Sequence, residues 1–134
     1  MSPAFAGSSS CVLDASALLA FLHGETGGEL VEPVLGEASI SSVNWAEVAQ
    51  KSLARGADWE GLRGDLEALG LVILPFTAEG AEAATELWPE TRSLGLSLAD
   101  RACLAVAKGL SLPALTTDSA WEELEIDVSI QVIR

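Results

Sequence analysis

Residues 11–23 read Cys-Val-Leu-Asp-Ala-Ser-Ala-Leu-Leu-Ala-Phe-Leu-His, and this stretch indicates the class of fold. Its first three residues are apolar, which is typical of a short buried strand, and the strand ends at Asp14. The residues that follow have helical character, and Gly24 ends the helix. The pattern therefore predicts a strand that leads directly into a helix, with a carboxylate at the junction.

The same alternation of short apolar strand and helix recurs along the rest of the chain. Further strands are predicted over 38–41, 71–74, 114–115 and 128–133. Further helices are predicted over 29–35, 43–55, 58–69, 77–87, 97–108 and 119–124, with a loop from Pro89 through Gly95. Alternating strands and helices predict an α/β fold with a parallel sheet and right-handed crossovers.

Composition indicates one folded domain. The chain has 134 residues, of which 49% are hydrophobic, and its mean hydropathy is +0.35. We therefore expect a flexible tail over 1–10 and a single domain over 11–134. No apolar run reaches the roughly 18–20 residues that span a bilayer, and the first ten residues lack signal-peptide features. We expect a cytoplasmic protein with no membrane contact, in which Cys11 and Cys103 are reduced packing residues.

Four carboxylates follow predicted strands or begin predicted helices. They are Asp14, Glu47, Asp100 and Asp118. In a parallel sheet such positions gather along one edge, where these folds place their ligand sites. Four acids that converge there cannot all ionise without cations, and Mg²⁺ or Mn²⁺ prefers oxygen ligands. Metal-assisted cleavage of a phosphodiester is the chemistry that this arrangement serves best.

Each acid also has an ordinary local explanation. Asn44-x-x-Glu47 and Ser97-x-x-Asp100 have the spacing of a capping box, and the other two acids precede helices and would serve as N-caps. Such a cap stabilises a helix by only about 1 kcal/mol. Capping and metal binding are compatible, because a carboxylate has several lone pairs.

Taken together, four motifs resemble the PIN domain, and within it the VapC-like toxins of bacterial toxin–antitoxin pairs. The motifs are Val-Leu-Asp-Ala-Ser (12–16), Asn-Trp-Ala-Glu-Val-Ala (44–49), Leu-Ser-Leu-Ala-Asp-Arg-Ala-Cys-Leu-Ala-Val-Ala (96–107) and Leu-Thr-Thr-Asp-Ser-Ala-Trp (115–121). The resemblance extends over roughly residues 11–134. The third motif is the most specific of the four.

This resemblance implies a three-layer α/β/α sandwich with a central parallel sheet of about five strands. It also implies an endoribonuclease that depends on Mg²⁺ or Mn²⁺ and cleaves tRNA, rRNA or mRNA. Such toxins are homodimers silenced by a cognate antitoxin. The family's hydroxyl residues correspond here to Ser16 and Thr116, which are expected to hold the carboxylates.

Roles follow for the four acids. Asp14, Asp100 and Asp118 are expected to ligate one ion directly or through water. Glu47 is expected to hold a second ion or to orient the attacking water. Few direct contacts are expected in either case, because Mg²⁺ keeps several of its waters.

The net charge does not fit a simple nucleic-acid binder. Twenty acids against seven bases leave −13 at pH 7, whereas such proteins normally carry a basic footprint. Most of these acids are expected on solvated helix faces. RNA would be repelled at long range unless metal ions invert the potential locally. We therefore expect RNA binding to depend on divalent ions, and a basic partner to bind tightly.

Four basic residues have competing interpretations. Lys51 and Arg55 follow Glu47 at i+4 and i+8, so they either form charge pairs along the helix or contact RNA phosphates. Arg101 is expected to form a structural ion pair. His23, the only histidine, is expected to end the first helix, where a cationic ring suits the helix dipole. One histidine and two dispersed cysteines lack the spacing of a zinc site.

Two other classes of function stay open. A non-catalytic interaction or RNA-binding protein of the same fold is favoured by the acidic charge and disfavoured by the complete set of acids. A phosphoryl-transfer protein, such as a receiver domain or an aspartate-nucleophile phosphatase, also has an Asp at a strand end. It needs a lysine near the later strands, whereas Lys108 lies at a predicted helix end.

Overall fold

A computed structural model describes residues 9–134. The predicted tail falls mostly on residues 1–8, which lie outside the described residues. Ser9 and Ser10 contact the second strand and the turn before it: the Ser9 and Ser39 hydroxyls are 2.7 Å apart, and the Ser10 amide donates to the Glu37 carbonyl.

A five-stranded parallel sheet forms the centre of the molecule. Its strands are β1 (Cys11–Leu13), β2 (Ala38–Ser41), β3 (Val72–Leu74), β4 (Ala114–Thr116) and β5 (Ile130–Val132). The strand order is β3-β2-β1-β4-β5. Strand β1 is central, and Val12 is paired with Ser39 on one side and Ala114 on the other. The predicted α/β fold with about five parallel strands is confirmed.

Helices cover both faces of this sheet. The described residues form α1 (Ala15–His23), α2 (Gly28–Val31), α3 (Ser42–Ala54), α4 (Trp59–Ala68), α5 (Ala78–Glu86), α6 (Trp88–Thr91) and α7 (Leu98–Leu110). Short 3₁₀ segments lie at Glu32–Glu37, Arg92–Leu94 and Ser119–Glu123. Helix α1 ends as predicted at Gly24, whose φ of 65° is the left-handed conformation that glycine adopts most easily.

Two apolar cores make the fold a three-layer sandwich. Leu13 and Leu115 face the core beneath α1–α4, whereas Val12 and Ala114 face the core beneath α5 and α7. Successive strand residues point to opposite faces, so one short strand supplies both cores. This double burial explains why β1, β2 and β4 are fully buried; β1 is apolar throughout, whereas β2 contains Ser39 and Ser41 and β4 ends in Thr116.

Two predicted segments differ from the structure. The helix predicted over 29–35 is only α2, followed by the 3₁₀ segment Glu32–Glu37, whose first turn contains Pro33. The loop predicted from Pro89 is instead α6 followed by a 3₁₀ turn. Pro89 lies in the first turn of α6, where a backbone N–H has no helical partner and its loss costs little.

Both cysteines are free and buried, as predicted. Burial raises the pKa of the Cys103 thiol well above its ordinary value, with smaller contributions from the charges of Asp14 and Asp100. These thiols are therefore neutral packing groups. Within residues 9–134, no helix is both long enough and apolar enough to cross a bilayer.

Candidate active site

The connectivity of the sheet defines where a ligand site is expected. From β1 the chain moves to β2 and then β3 on one side, and it returns to β4 and β5 on the other. The carboxyl ends of β1 and β4 therefore lie at the topological switch point, where open α/β sheets bind ligands. The Asp14 amide donates to the Leu115 carbonyl at 3.0 Å, which joins the two strand ends directly.

Asp14 is the best-organised side chain at this switch point. It caps α1, and its Oδ1 accepts hydrogen bonds from the Ala17 amide at 2.9 Å and the Ser16 hydroxyl at 2.7 Å. Its Oδ2 accepts from the Thr116 hydroxyl at 2.6 Å. The residue is only 4% exposed. The prediction of an N-cap is confirmed, and two additional side-chain donors, one from the first turn of α1 and one from the end of β4, exceed what a cap requires.

The electrostatics of Asp14 oppose its ionisation. The pKa of Asp14 is raised from 3.8 to about 6, chiefly by burial and to a smaller extent by the nearby charge of Asp100. The hydrogen bonds from Thr116, Ser16 and Ala17 lower the pKa but do not offset burial. The site therefore holds a carboxylate that gains from any cation placed beside it.

The two hydroxyls also fix the loop that follows β4. The Ser16 hydroxyl accepts from the Thr117 amide, and the Thr116 hydroxyl accepts from the Asp118 amide, both at 3.0 Å. Asp118 is exposed, and its Oδ1 accepts from the Ala120 amide as the N-cap of a 3₁₀ turn. Hydrogen bonds thus link Asp118 to Asp14 through Thr116.

Asp100 approaches the site from the start of α7. It forms the predicted capping box with Ser97: its Oδ2 accepts from the Ser97 amide at 2.9 Å, and its amide donates to the Ser97 hydroxyl at 3.1 Å. Asp100 is partly buried, and its charge acts on Asp14. The helix N-termini at both residues add positive partial charge, which favours the ionised carboxylates.

The capping box predicted for Asn44 and Glu47 is wrong. The N-cap of α3 lies three residues before Asn44, because Ser41 ends β2 in an extended conformation and its hydroxyl accepts from the Val43 amide. Glu47 therefore lies in the second turn of α3 and is partly buried. Among residues 9–134, no hydrogen bond or ion pair joins Glu47 to the other three acids.

Asn44 has a role that sequence analysis missed. It is 1% exposed, and its Nδ2 donates to the Ala99 carbonyl at 3.0 Å, so it links α3 to the residue before Asp100. Its Oδ1 is buried and has no hydrogen-bond partner in the described part of the chain. The only sequence signal for this role was that Asn44 is polar and lies three residues before Glu47. The same spacing is typical of a capping box, so it did not reveal the contact with Ala99.

The donor set suits a hydrated hard cation. Across the described residues, no three Asp, Glu, His or Cys side chains lie close enough to hold one ion together. Asp100 Oδ1 and Asp118 Oδ2 accept no hydrogen bond from residues 9–134, so each acid keeps an uncommitted oxygen. Mg²⁺ is commonly held by one or two carboxylates and several waters. The side chains present fit such an ion.

The expected charge pairs along α3 are not found. In the part of the chain that the structure describes, the only ion pair joins Arg63 to Glu67. Lys51 is exposed, and the Arg55 Nη1 contacts the His23 Nδ1 at 2.9 Å.

The structural ion pair predicted for Arg101 is also wrong. Its Nη1 donates to the Ala84 carbonyl at 2.9 Å, near the end of α5. The last carbonyls of a helix lack partners within the helix, so a cation there satisfies an acceptor and suits the dipole. Arg101 therefore links α7 to α5 and takes no part in the site.

Comparison with known proteins gives the family. The family model for the PIN domain matches residues 11–126, so the chain belongs to the PIN domain family. A comparison with curated proteins finds no match.

Solved structures share the fold. A toxin–antitoxin complex from Klebsiella pneumoniae matches with a TM-score of 0.72 and 21% identity, over 90% of this chain and 100% of that chain. DNA-bound VapBC from Salmonella typhimurium matches with a TM-score of 0.68 and 18% identity, over 92% and 97%. The sarcin–ricin loop cleaving toxin VapC20 of Mycobacterium tuberculosis matches with a TM-score of 0.66 and 17% identity, over 90% and 99%.

Proposed function

We propose that this protein is an endoribonuclease that depends on Mg²⁺ or Mn²⁺ and acts as the toxin of a toxin–antitoxin pair. Membership of the PIN domain family and the likeness of the fold to toxins support the proposal. The observation that carries it is the buried carboxylate of Asp14 at the switch point of the sheet. A helix cap needs neither burial nor a hydroxyl donor from a distant strand such as that of Thr116, and burial raises the cost of an ionised acid that has no cation.

Three acids are proposed to hold the ion, directly or through its bound waters: Asp14, Asp100 and Asp118. When bound, the ion supplies a water of lowered pKa and a positive charge at the scissile phosphate. The Ser16 and Thr116 hydroxyls hold the Asp14 carboxylate in one orientation, and Thr116 also fixes the backbone of Asp118. Such partners of a ligand set its geometry and its basicity.

Glu47 is proposed to orient the attacking water or to hold a second ion. It lies on α3, which Asn44 links to the start of α7, so its distance from Asp100 is limited by the hydrogen bond between Asn44 and Ala99. Asp14 must lose its proton before it can act as a ligand, and because its pKa is raised to about 6 in the metal-free protein, protons compete with the ion for this carboxylate in acid. We therefore expect activity to fall in acid.

Partners and location belong to the same proposal. The Klebsiella structure is a toxin–antitoxin complex, the Salmonella structure is DNA-bound VapBC, and the Mycobacterium protein is a toxin that cleaves the sarcin–ricin loop. By analogy, we propose a cognate antitoxin, an RNA substrate (tRNA, rRNA or mRNA), a homodimer and a cytoplasmic location. The net charge of −13 favours a basic antitoxin segment.

One experiment tests the enzymatic proposal. Purified protein is incubated with a mixed tRNA and rRNA pool in Mg²⁺, Mn²⁺ or EDTA, beside Asp14→Asn and Asp58→Asn. Asp58 is a matched control, because it caps α4 in the same way but is exposed. We expect discrete fragments that require metal and disappear only in Asp14→Asn.

The same experiment separates the main alternative. A non-catalytic binder of this fold is favoured by the observation that no three metal-binding side chains cluster within residues 9–134. Intact RNA in every metal, from folded protein free of co-purified inhibitor, would refute the nuclease and support the binder. Equal cleavage by Asp14→Asn would refute the site while leaving a nuclease elsewhere.

A further inference from the structure

We propose that a cleft between α1 and α3, lined by His23, Lys51 and Arg55, binds the phosphate backbone of a single RNA strand that leads away from the acids. The proposal rests on the proposed function, because it assigns the part of the substrate beyond the cleaved bond. It names a chemical class, the phosphodiester backbone, and no base sequence.

The cleft is a surface depression between two packed helices. Its volume is about 350 Å³, and it is lined by Leu19, His23, Glu25, Lys51, Ala54 and Arg55. Leu19 is buried and forms the apolar floor, whereas Lys51 and Arg55 are exposed at the rim. An open groove with cationic rims and an apolar floor suits a strand that lies across it.

The charge of the cleft is opposite to that of the protein. Only seven lysines and arginines occur in the chain, and two of them line this cleft. Glu25 is the single acid in the lining. Neither Lys51 nor Arg55 forms an ion pair within residues 9–134, so their charges are not cancelled by a bound carboxylate. A local positive potential in an acidic protein concentrates a polyanion at that place.

The contact between Arg55 and His23 prepares the guanidinium for an anion. A guanidinium has only donors, so the His23 Nδ1 accepts and the ring carries its hydrogen on Nε2. A neutral acceptor holds the side chain in place without removing its charge. The other guanidinium N–H groups stay available for the planar, two-point contact that arginine makes with phosphate.

The position of the cleft connects it to the acids. Glu47 and Lys51 lie four residues apart on one face of α3, about 6 Å along its axis, and Arg55, four residues further on, is the C-cap that ends this helix. Ser16 and His23 lie seven residues apart on α1, again on one face, and Ser16 contacts Asp14. A strand with one phosphate at the acids can therefore follow the groove past Lys51 to Arg55.

This alignment favours RNA over an acidic protein segment. An acidic segment would need only the local positive charge, whereas an RNA strand needs cations in line with the acids at regular steps. Lys51 and Arg55 follow Glu47 at such regular steps. Competition by an acidic polypeptide distinguishes the two ligands.

The test measures RNA binding without cleavage. In an Asp14→Asn background, a short fluorescein-labelled single-stranded oligoribonucleotide of mixed sequence is titrated by anisotropy at low fixed Mg²⁺ while KCl is varied. The double variant Lys51→Gln/Arg55→Gln is compared with Lys108→Gln/Arg63→Gln. Both pairs remove one lysine and one arginine, so the net charge of the two proteins is equal.

We expect the cleft pair to weaken binding and to flatten the plot of log affinity against log salt by about 0.7 for each phosphate that the protein no longer neutralises. The control pair should leave the slope unchanged. Equal effects of the two pairs, an unchanged slope in the cleft pair, or no RNA binding by the background protein would each overturn the proposal. Poly-glutamate that competes as well as RNA of equal charge would assign the cleft to an acidic protein instead.

A second readout distinguishes failure of this proposal from failure of the proposed function. With Asp14 intact, the cleft pair should raise KM and leave kcat nearly unchanged, because the remote phosphates contact the protein equally before and during reaction. If the protein cleaves no RNA but the binding difference persists, the proposed nuclease fails and the cleft stands. If it cleaves RNA and the cleft pair behaves like the control pair, the cleft fails and the nuclease stands.

Discussion

Asp14 and Asp58 begin helices α1 and α4 in the same local manner, yet their surroundings differ. Each is an N-cap whose carboxylate accepts from the amide three residues later, at 2.9 Å for Asp14 and 3.1 Å for Asp58. Asp14 is buried and receives two further hydroxyl donors, whereas Asp58 is exposed. The same N-cap motif is therefore a simple cap at the exposed start of α4 and a candidate metal ligand at the switch point of the sheet. The difference comes from the tertiary surroundings of the two aspartates.

The largest expected effect separates these two aspartates by activity. Asp14→Asn should lower metal-dependent RNA cleavage by more than the roughly 10–100-fold that removal of a ligand's hydrogen-bonding partner costs. Asp58→Asn should cleave normally, because asparagine is an equally good N-cap. Initial rates on the same RNA pool measure both. Comparable losses of cleavage in the two variants would show that Asp14 has no role in activity beyond that of an ordinary helix cap.

The stability of the two variants should differ with pH. The pKa of Asp14 is about 6 in the folded protein against 3.8 in the unfolded chain, so between these values only the folded state keeps the proton. The free energy of unfolding therefore falls as pH rises from about 4 to about 6, by roughly 3 kcal/mol in total. Asp14→Asn lacks this fall, so its stability relative to the wild type should rise by the same amount over this pH range in EDTA.

Urea unfolding in EDTA across this pH range measures the difference between wild type and Asp14→Asn, and the other titrating groups cancel. Asp58→Asn should follow the wild-type curve. Added Mg²⁺ should stabilise the wild type at neutral pH and not Asp14→Asn. Parallel curves for wild type and Asp14→Asn would contradict the raised pKa.

Thr116 tests whether the hydroxyl that reaches Asp14 from the end of β4 contributes to activity. Thr116→Val removes the donor to Asp14 and the acceptor for the Asp118 amide without changing shape, so cleavage should fall by about 10–100-fold. Thr91→Val is the matched control, since Thr91 is also fully buried and bonds only to backbone carbonyls. Rates normalised to folded protein should fall in the first variant alone. Equal rates would assign Thr116 to packing.

The smallest expected effect concerns Asn44. Asn44→Leu removes the hydrogen bond to Ala99 together with the buried oxygen that lacks a partner, so the loss of stability should be about 1 kcal/mol. Asn44→Asp cannot donate and adds a charge near Asp100, so it should be the less stable of the two at neutral pH. Thermal unfolding of both variants measures the order. The reverse order would contradict the proposed link.

Local chemistry accounts for the parts that could be predicted. The capping box of Ser97 and Asp100, the glycine end of α1 and the strand before Asp14 depend on neighbours within a few residues. The same spacing misled at Asn44, because the hydroxyl of Ser41 capped α3 earlier. Pro89 led to the wrong prediction of a loop, because a proline that ends one helix can also lie in the first turn of the next.

By itself the sequence determined the order of strands and helices, the oxygen-only donor set and the family motifs. Tertiary structure alone decided that Thr116 meets Asp14, that Asn44 reaches α7, and that His23 and Arg55 share a cleft. These contacts join residues that are 102, 55 and 32 positions apart. Their geometry depends on how the sheet orders its strands and how the helices pack on it, which no local pattern encodes.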